Sequence, residues 1–341
     1  MTAVNQNLFA RARDGDERAF QELTEPHRRE IQFHCYRMLG SVHDAEDMLQ
    51  ETLVAAWRSI SQFEQRASVR TWLYKIATNR CLNTLRDASR RAPTPPVAPF
   101  QLPPPSRNND PTWLDPYLDD QFGGWADPTP GPEAHYEARE SVEIAFIAAL
   151  QRLTGRQRAA LMLHDVLGFR SREVAEMLES SEESVKGALK RARATLDAEL
   201  AEEDREPMAE PDSPAEKELV ERFVDAFVAD DVDRLVTLLT DRAWLTMPPA
   251  TVEYQGPAAS AQFLKVISEY QKYAPVMALP GPRANGHVTI AAYRVDQETG
   301  IANSVGLILM RTSPSGITRL TWFLGPTYVE RFGMPATFQR D

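Results

Sequence analysis

Apolar residues recur at helical spacing in two separate parts of the chain. In residues 8–90 they include Ile31, Met38 and Leu49, and a second run of this kind covers residues 139–200. Positions three and four residues apart lie on one face of a helix and can be buried together. The pattern therefore predicts two all-α modules.

The pattern changes beyond residue 217. Residues 218–239 form one amphipathic stretch that predicts a helix, and the runs after it have the character of half-buried strands. These runs are AWLTM, HVTIAAYRV, NSVGLILMR and TRLTWFL. A helix followed by several strands predicts an α+β domain built on a curved antiparallel sheet.

Prolines and acidic residues separate these parts. Twelve of the 25 prolines lie between residues 93 and 132, and such a cluster cannot continue a helix or a central strand, because proline fixes φ and lacks a backbone donor. Acids and three prolines replace the helical pattern near residues 199–217. The predicted division is a helical domain at 8–91, a proline-rich linker at 92–138, a second helical domain at 139–200, an acidic linker at 201–216 and the α+β domain at 217–335.

The proline-rich linker carries large apolar side chains that a solvated tether does not need. They are Trp113, Leu114, Tyr117, Phe122 and Trp125. Two interpretations stay open for this segment: an extended tether, or a strip that docks onto a folded surface.

Composition narrows the class of protein. Lys and Arg number 38 against 49 Asp and Glu, for a net charge of −11, which argues against a uniformly basic coat that binds nucleic acid without specificity. The sequence contains no apolar run long enough for a membrane span and no signal-peptide pattern at its start. Cys35 and Cys81 fit neither a disulfide framework nor a zinc motif. We expect a cytoplasmic protein with reduced cysteines, without a membrane segment, metal or cofactor.

The first helical domain places an acidic helix beside a basic one. The segment HDAEDMLQETLVAAW opens with acids, and seven bases and one acid lie between residues 66 and 91. In the basic helix Arg70, Lys75 and Arg80 alternate with Trp72 and Asn79, which supplies cations for phosphate, an aromatic face for stacking and an amide for base edges. This set is suited to single-stranded DNA. The structural alternatives are core packing for Trp72 and a favourable helix dipole for the acids.

The second helical domain has the pattern of a helix-turn-helix. A short helix from Ser171 to Leu178 is followed by a polar turn and by a second helix from Glu182 to Leu196. Val185, Leu189 and Ala192 are expected to face inward, while lysines and arginines cover the outer face. Such a helix can lie in the major groove of DNA.

Four motifs together identify a family. The segments are YRMLGSVHDAEDMLQETLVAAW, RTWLYKIATNRCLNTLR, LTGRQRAALMLHDVLGFRSREVAEML and SVKGALKRARATL. In this order they resemble the two conserved modules of an extracytoplasmic-function (ECF) sigma factor, a sigma-70 family subunit of bacterial RNA polymerase. DVDRLVTLLTDRAWLTMPP, YQGPAASAQFL and FLGPTYVERFGMPATF resemble the SnoaL-like extension of the SigG and SigJ types, and they favour the SigG type. The TWLDPYLDD stretch resembles a short motif between the two modules of these fused types.

The resemblance implies a role for three sets of residues. Contacts with the clamp coiled coil of core RNA polymerase are implied for Asp44, Asp47, Gln50 and Glu51. Recognition and melting of the minus-10 promoter element are implied for Arg70, Trp72, Lys75, Asn79, Arg80 and Asn83. Recognition of the minus-35 element is implied for Ser184, Val185, Lys186, Lys190, Arg191 and Arg193. Asn83, Glu179 and Ala188 depart from residues common in the family (Asp, Gly and Arg), so promoter preference cannot be copied from relatives.

The C-terminal domain has two competing interpretations. SnoaL-like relatives include cyclases and isomerases, which need a carboxylate in the pocket, but the late strand TRLTWFLG contains no acid. The remaining polar candidates are Asp233, Asp241, Glu253, Tyr254 and His287. The aromatic and apolar set Phe223, Phe227, Leu235, Trp244, Met247, Phe263, Tyr270, Tyr293 and Trp322 could line a pocket for a small apolar ligand or form the core.

The leading prediction is a sigma factor without catalysis of its own. It would bind the clamp coiled coil and the flap of core RNA polymerase and direct it to promoter DNA, with the extension acting in cis as a brake or as an aid. The rival hypotheses are a bifunctional enzyme and a regulator that uses only the helix-turn-helix. The regulator leaves the block TWLYKIATNRCLNTLR unexplained. Promoter sequence, inducing signal, oligomeric state and a separate anti-sigma protein stay open.

Overall fold

The computed structural model describes residues 3–64, 67–88, 101–108, 114–122, 143–201, 206–271 and 275–339. These residues form two compact units. The first takes its residues from 1–92 and 120–198, and the second from 93–119 and 199–341. Helical modules occupy the first unit and an α+β domain the second. The predicted fold class is therefore confirmed.

The first unit begins with a five-helix module. Asp16 accepts bonds from the amides of Arg18 and Ala19 and so starts the second helix, and Ser41 caps the fourth. Gly40, at φ 76°, ends the third helix in the left-handed conformation that glycine adopts without strain. The helices are α1 (Ala3–Arg13), α2 (Glu17–Thr24), α3 (Arg28–Leu39), α4 (Val42–Ser59) and α5 (Val69–Ala88).

Four further helices complete the unit. A capping box between Thr154 and Gln157 starts the second of them, and a π-helical segment, Met162–Val166, follows it. The helices are α6 (Ile144–Gln151), α7 (Gly155–Leu161), α8 (Ser171–Met177) and α9 (Glu182–Ala201). The predicted helix-turn-helix is α8 and α9, with Val185, Leu189 and Ala192 buried as expected.

The second unit packs helices on one face of an eight-stranded sheet. The strand order is β1-β3-β2-β7-β6-β5-β4, β8 pairs with β6, and every pair is antiparallel except β2 with β7. The helices are α10 (Pro214–Val228), α11 (Val232–Thr237), α12 (Gly256–Gln271) and α13 (Pro326–Arg331). The strands are β1 (Arg107–Asn108), β2 (Leu239–Thr246), β3 (Val252–Gln255), β4 (Val276–Ala284), β5 (His287–Val295), β6 (Ile301–Ser313), β7 (Gly316–Leu324) and β8 (Thr337–Gln339).

Three features of this unit differ from the sequence prediction. The single helix expected at 218–239 is two helices, because Asp230 adopts φ 54° and Asp231 caps a new helix start at the Arg234 amide. Strand β4 was not predicted because it contains Pro280 and Pro282; it lies at an edge of the sheet, where a missing donor is tolerated. Helix α12 was also not predicted, although Phe263 and Leu264 pack into the core.

Part of the proline-rich linker docks on the α+β domain. Arg107 and Asn108 form β1 and extend the sheet beside β3. The amide of Tyr117 donates to Asn285 Oδ1 at 2.8 Å, and the Asn285 amide donates to the Tyr117 carbonyl at 3.0 Å. Leu114 and Tyr117 are buried. Trp113, Trp125 and the side chain of Phe122 lie outside the described residues.

Part of the acidic linker also belongs to this domain. Ala209 donates its amide to the Thr312 carbonyl, and the buried Glu216 pairs with Arg283 at 2.9 Å. Burial acts to raise the pKa of Glu216, but hydrogen bonds led by Arg283 outweigh it and hold the pKa below its usual value. The chain junctions at 91/92 and 138/139 lie outside the described residues.

Both cysteines, Cys35 and Cys81, are free and buried in the first unit. Among the described helices, none combines the length and the apolar character that crossing a bilayer requires.

Candidate nucleic-acid and polymerase interface

Helix α4 separates a buried face from an exposed polar one. Ala45, Leu49 and Ala56 are buried. At 100° per residue, the opposite face carries the four predicted polymerase contacts. Asp44, Asp47, Gln50 and Glu51 are all exposed there. Their ion pairs are long and solvated: Asp47 lies 3.8 Å from His43 and Glu51 lies 3.5 Å from Arg80.

Sequence reasoning missed an apolar residue on this face. Val54 lies one helical repeat beyond Asp47, and 49 % of it is exposed. A large aliphatic side chain in the middle of a charged surface is informative, because it gives a partner apolar area to bury. The heptad spacing to Asp47 was the available signal.

Helix α5 brings most of the minus-10 candidates onto one face. Trp72, Lys75, Asn79 and Asn83 fall within about 80° of one another on the helical projection, and Arg80 lies at the edge of that face. Asn83 and Arg80 are exposed, and the other three are half-buried. Arg86 is exposed on the same face and was not among the predicted residues.

Trp72 is held in place by an aromatic neighbour rather than by the core. Its ring stacks on Phe63 with centroids 4.5 Å apart and planes 14° apart. One face of the indole is therefore occupied by Phe63, and the side chain keeps partial exposure.

Arg70 lies on the core-facing side of α5, apart from the other candidates. Its Nε donates to Glu30 Oε2 at 2.8 Å, and its guanidinium lies 5.0 Å above the Tyr74 ring. Burial acts to raise the pKa of Glu30, but hydrogen bonds from His27 and Arg70 outweigh it and keep the pKa lowered. The geometry gives Arg70 a structural role in joining α3 to α5.

Helix α9 exposes four of its six predicted residues. Ser184, Lys186, Lys190 and Arg191 are exposed. Val185 is only 2 % exposed and packs in the core of the helix-turn-helix, so its side chain is not available to a base edge in this structure.

Arg193 is occupied by a buried acid. Its Nε and Nη2 donate to the two carboxylate oxygens of Asp165 at 2.8 and 2.7 Å. Asp165 is fully buried, and His164 Nδ1 lies 2.7 Å from its Oδ1. Burial would raise the pKa of Asp165, but the bonds from Arg193 and His164 prevail and lower it. Arg193 thus fixes α9 against the π-helical segment.

A groove beside α9 gathers basic side chains around this pair. Its volume is about 430 Å³, and its walls include His164, Ser171, Lys186, Lys190 and Arg193. The shape and charge suit a DNA backbone, whose phosphates attract closely spaced cations. His164 and Ser171 come from outside α9, and sequence reasoning had not placed them here.

The α+β domain has a small apolar cavity between its helices and sheet. The cavity volume is about 20 Å³, enough for one water molecule, and all nine lining residues are apolar. Phe223, Phe227, Leu235 and Trp322 line it as members of the predicted set. The side chain of Tyr270 lies outside the described residues.

None of the five polar candidates for catalysis lines this cavity. Asp233 pairs with Lys265 at the surface, and Glu253 pairs with Arg107 at 2.6 Å. Tyr254 donates to the Pro103 carbonyl, and burial raises its pKa. Asp241 is exposed and His287 is buried.

Comparison with known proteins gives two family matches. The Sigma-70 region 2 family matches residues 23–91, and the Sigma-70 region 4 family matches residues 143–196. These ranges contain α4, α5 and α9, the helices that carry all three sets of predicted contacts.

Similarity to individual proteins extends beyond these modules. The chain is 38 % identical to the ECF RNA polymerase sigma factor SigG of Mycobacterium tuberculosis over 321 residues, which cover 93 % of this chain and 84 % of SigG. It is 30 % identical to SigJ of the same species over 248 residues, 71 % of this chain and 70 % of SigJ. The crystal structure of M. tuberculosis SigJ has the same fold, with a TM-score of 0.56 at 21 % identity, over 91 % of this chain and 97 % of that one. Because the match to SigG covers both modules and the C-terminal domain, the chain belongs to the ECF sigma factors of RNA polymerase, the subunits that direct promoter-specific initiation of transcription.

Proposed function

We propose that this sigma factor binds core RNA polymerase through the exposed face of α4 and reads promoter DNA through α5 and α9, while its C-terminal domain modulates these contacts in cis. The observation that carries the assignment is the separation of faces. Each of the three helices buries one side in its module and exposes polar or basic residues on the other. We place this action with the polymerase in the cytoplasm.

The proposed minus-10 surface is the exposed face of α5. It consists of Trp72, Lys75, Asn79, Arg80 and Asn83, together with Arg86. Cations at its edge attract the backbone of a melted strand, and the amides can bond unpaired bases. Arg70 supports this surface from behind by fixing α5 on α3.

The proposed minus-35 surface is the exposed face of α9 with its groove. Ser184, Lys186, Lys190 and Arg191 are free of the core. The early residues are placed for base edges and the later bases for phosphates. Arg193 acts by holding the helix, and Val185 acts through packing.

The polymerase surface is tested by two matched charge reversals. Asp47→Lys changes the centre of the exposed face of α4, and Glu46→Lys makes the same change about 100° away. We expect Asp47→Lys to weaken binding to core polymerase at least tenfold, because charge reversal in an interface costs more than about 1.4 kcal/mol. Glu46→Lys should change it by less than about threefold. Equal losses from both variants would show that α4 is not the contact.

The DNA surfaces are tested by promoter variants. Lys190→Ala and Asn79→Ala are compared on templates altered in one element at a time. Loss of discrimination at the minus-35 element alone for Lys190→Ala, and at the minus-10 element alone for Asn79→Ala, is the expected result. Interchanged or absent element specificity would contradict the assignment.

We propose that the C-terminal domain has no catalytic activity. The apolar lining of its cavity supports this, since general acid or base chemistry needs a titratable group at the reacting atoms. A small apolar ligand remains part of the proposal only for a state in which Phe227 or Trp322 moves, because about 20 Å³ does not hold one.

A further inference from the structure

We infer that the two helical modules hold each other in a closed arrangement, and that this arrangement must open before one molecule can bind both promoter elements. The inference rests on the promoter-reading role proposed above. It concerns the first unit only, in which α6 and α7 of the second module pack against α3 and α5 of the first.

The first contact caps a helix end. The last four carbonyls of a helix have no partner within it. At the end of α3, the Met38 carbonyl accepts a bond from Arg158 Nη1, and the Arg37 carbonyl accepts one from Gln151 Nε2 at 3.4 Å. Both donors belong to the second module. It therefore satisfies backbone groups that the first module leaves open.

Arg158 is built into this junction. It is 4 % exposed, and burial lowers its pKa to about 10. Its Nη2 also donates to the carbonyls of Gln151 and Leu153 at 3.1 and 3.2 Å. A buried cation is tolerated only when its donors are bonded, so Arg158 holds the loop between α6 and α7 in the shape that meets α3.

The second contact involves the minus-10 helix itself. A Cβ placed on Gly155 would lie 3.2 Å from Leu82 and 3.4 Å from Leu85, both on α5. Phe169 of the second module meets Tyr74 edge-on with centroids 5.7 Å apart. Lys75, one of the proposed DNA contacts, lies 3.7 Å from Glu179.

The closed unit is too small to span a promoter. The names of the two elements place them about 25 base pairs apart, which is about 85 Å of B-form DNA. A compact unit of this size is about 40 Å across. One molecule therefore cannot engage both elements while α7 rests on α5, and breaking the Arg158 and Gly155 contacts is the step that releases them. Because the bonds to α3 are polar, water can replace them on opening.

Gly155→Glu is a wedge aimed at this contact. Gly155 is the first residue of α7, where an acid favours the helix dipole, so the module itself should not lose stability. Its side chain must push Leu82 and Leu85 away. Arg156→Glu is the matched control, because it puts the same side chain on the exposed neighbour. Leu85→Glu breaks the contact from the other side and serves if Gly155→Glu fails to fold.

The distance between modules is measured on the full chain. Spin labels are attached to cysteines introduced at the exposed positions Glu22 and Glu176, and the native cysteines are buried. We expect one short, narrow distance distribution for the parent and for Arg156→Glu. For the wedge we expect a broad distribution with its mean longer by about 20 Å or more, as for separated modules. A folded wedge with an unchanged distribution would overturn the closed arrangement.

Transcription with core polymerase tests the consequence. At limiting sigma factor, the wedge should give at least about threefold more promoter-specific transcript than Arg156→Glu, because no free energy is spent on opening. A wedge that opens the modules without raising transcription would overturn the inhibitory role. If the distances change as expected but no variant supports transcription, the proposed function fails and the closed contact stands.

Discussion

Glu179 occupies a backbone position that suits glycine. It ends α8 at φ 49°, and the Ser180 amide bonds back to the Ala175 carbonyl, which is the bond pattern of a Schellman motif. A side chain in the left-handed region costs about 1–2 kcal/mol. Its solvated ion pair with Lys75 recovers little of this cost.

Glu179→Gly should therefore stabilise the first unit. We expect a gain of about 1 kcal/mol, or about 2–4 °C in Tm for a unit of this size. Glu179→Ala removes the same ion pair but keeps the Cβ, so it should give no gain. Thermal unfolding followed by circular dichroism compares the three proteins, and equal Tm values for the two variants would contradict the strain argument.

His34 makes the stability of this unit depend on pH. Its Nε2 lies 2.9 Å from Thr78 Oγ1 in the core, and burial, with smaller contributions from Arg37 and Arg70, lowers the pKa of His34 to about 3. The folded chain keeps His34 neutral while the unfolded chain takes up a proton below about pH 6.5. Stability is thus complete above that pH and is lost progressively as the pH falls towards 3.

The expected loss between pH 7.5 and pH 5 is about 2 kcal/mol from this one group. His34→Gln should remove that part of the pH dependence. Urea unfolding of both proteins at the two pH values measures it. An unchanged difference in the variant would mean that another group titrates.

At the scale of elements, local patterns predicted what local interactions decide. The helices of the first unit follow from apolar spacing, and the turn before α9 from its polar residues. Strand β1 could not be predicted, because Arg107 pairs with Glu253 across 146 residues of sequence. Local pattern also did not separate Val185 and Arg193, which face inward, from Lys186 and Lys190, because the buried partner Asp165 lies on another helix. The family resemblance assigned all four to DNA.

The docked linker gives an element-scale prediction. Asn285 has φ 49°, so Asn285→Gly keeps the backbone of the turn while removing the Oδ1 that binds the Tyr117 amide. We expect hydrogen exchange at the Tyr117 amide to rise at least tenfold, since that bond contributes about 1 kcal/mol or more when buried. Amides in the middle of β6 should keep their protection. Parallel loss of protection in β6 would show that the domain, and not the linker contact, had been weakened.

At the scale of the molecule, the linker binds the sigma modules and the extension into one system. A chain that ends after Leu200 loses β3, α13 and the turn at Asn285, which cover residues 101–119 within the second unit. Leu114 and Tyr117 would then be exposed. We expect limited proteolysis to cut the truncated form in this segment faster than the full chain; equal rates would contradict the docking. A transcriptional effect of truncation therefore includes the release of the linker, and Asn285→Gly separates the two causes.

The central claim is that this chain directs RNA polymerase to promoters. Run-off transcription with purified core polymerase on the gene's own upstream region tests it most directly. The account predicts a specific transcript that depends on the chain, weakens with Asp47→Lys and loses its minus-35 dependence with Lys190→Ala. Absence of both polymerase binding and transcript, on this region and on every other promoter tried, would contradict it.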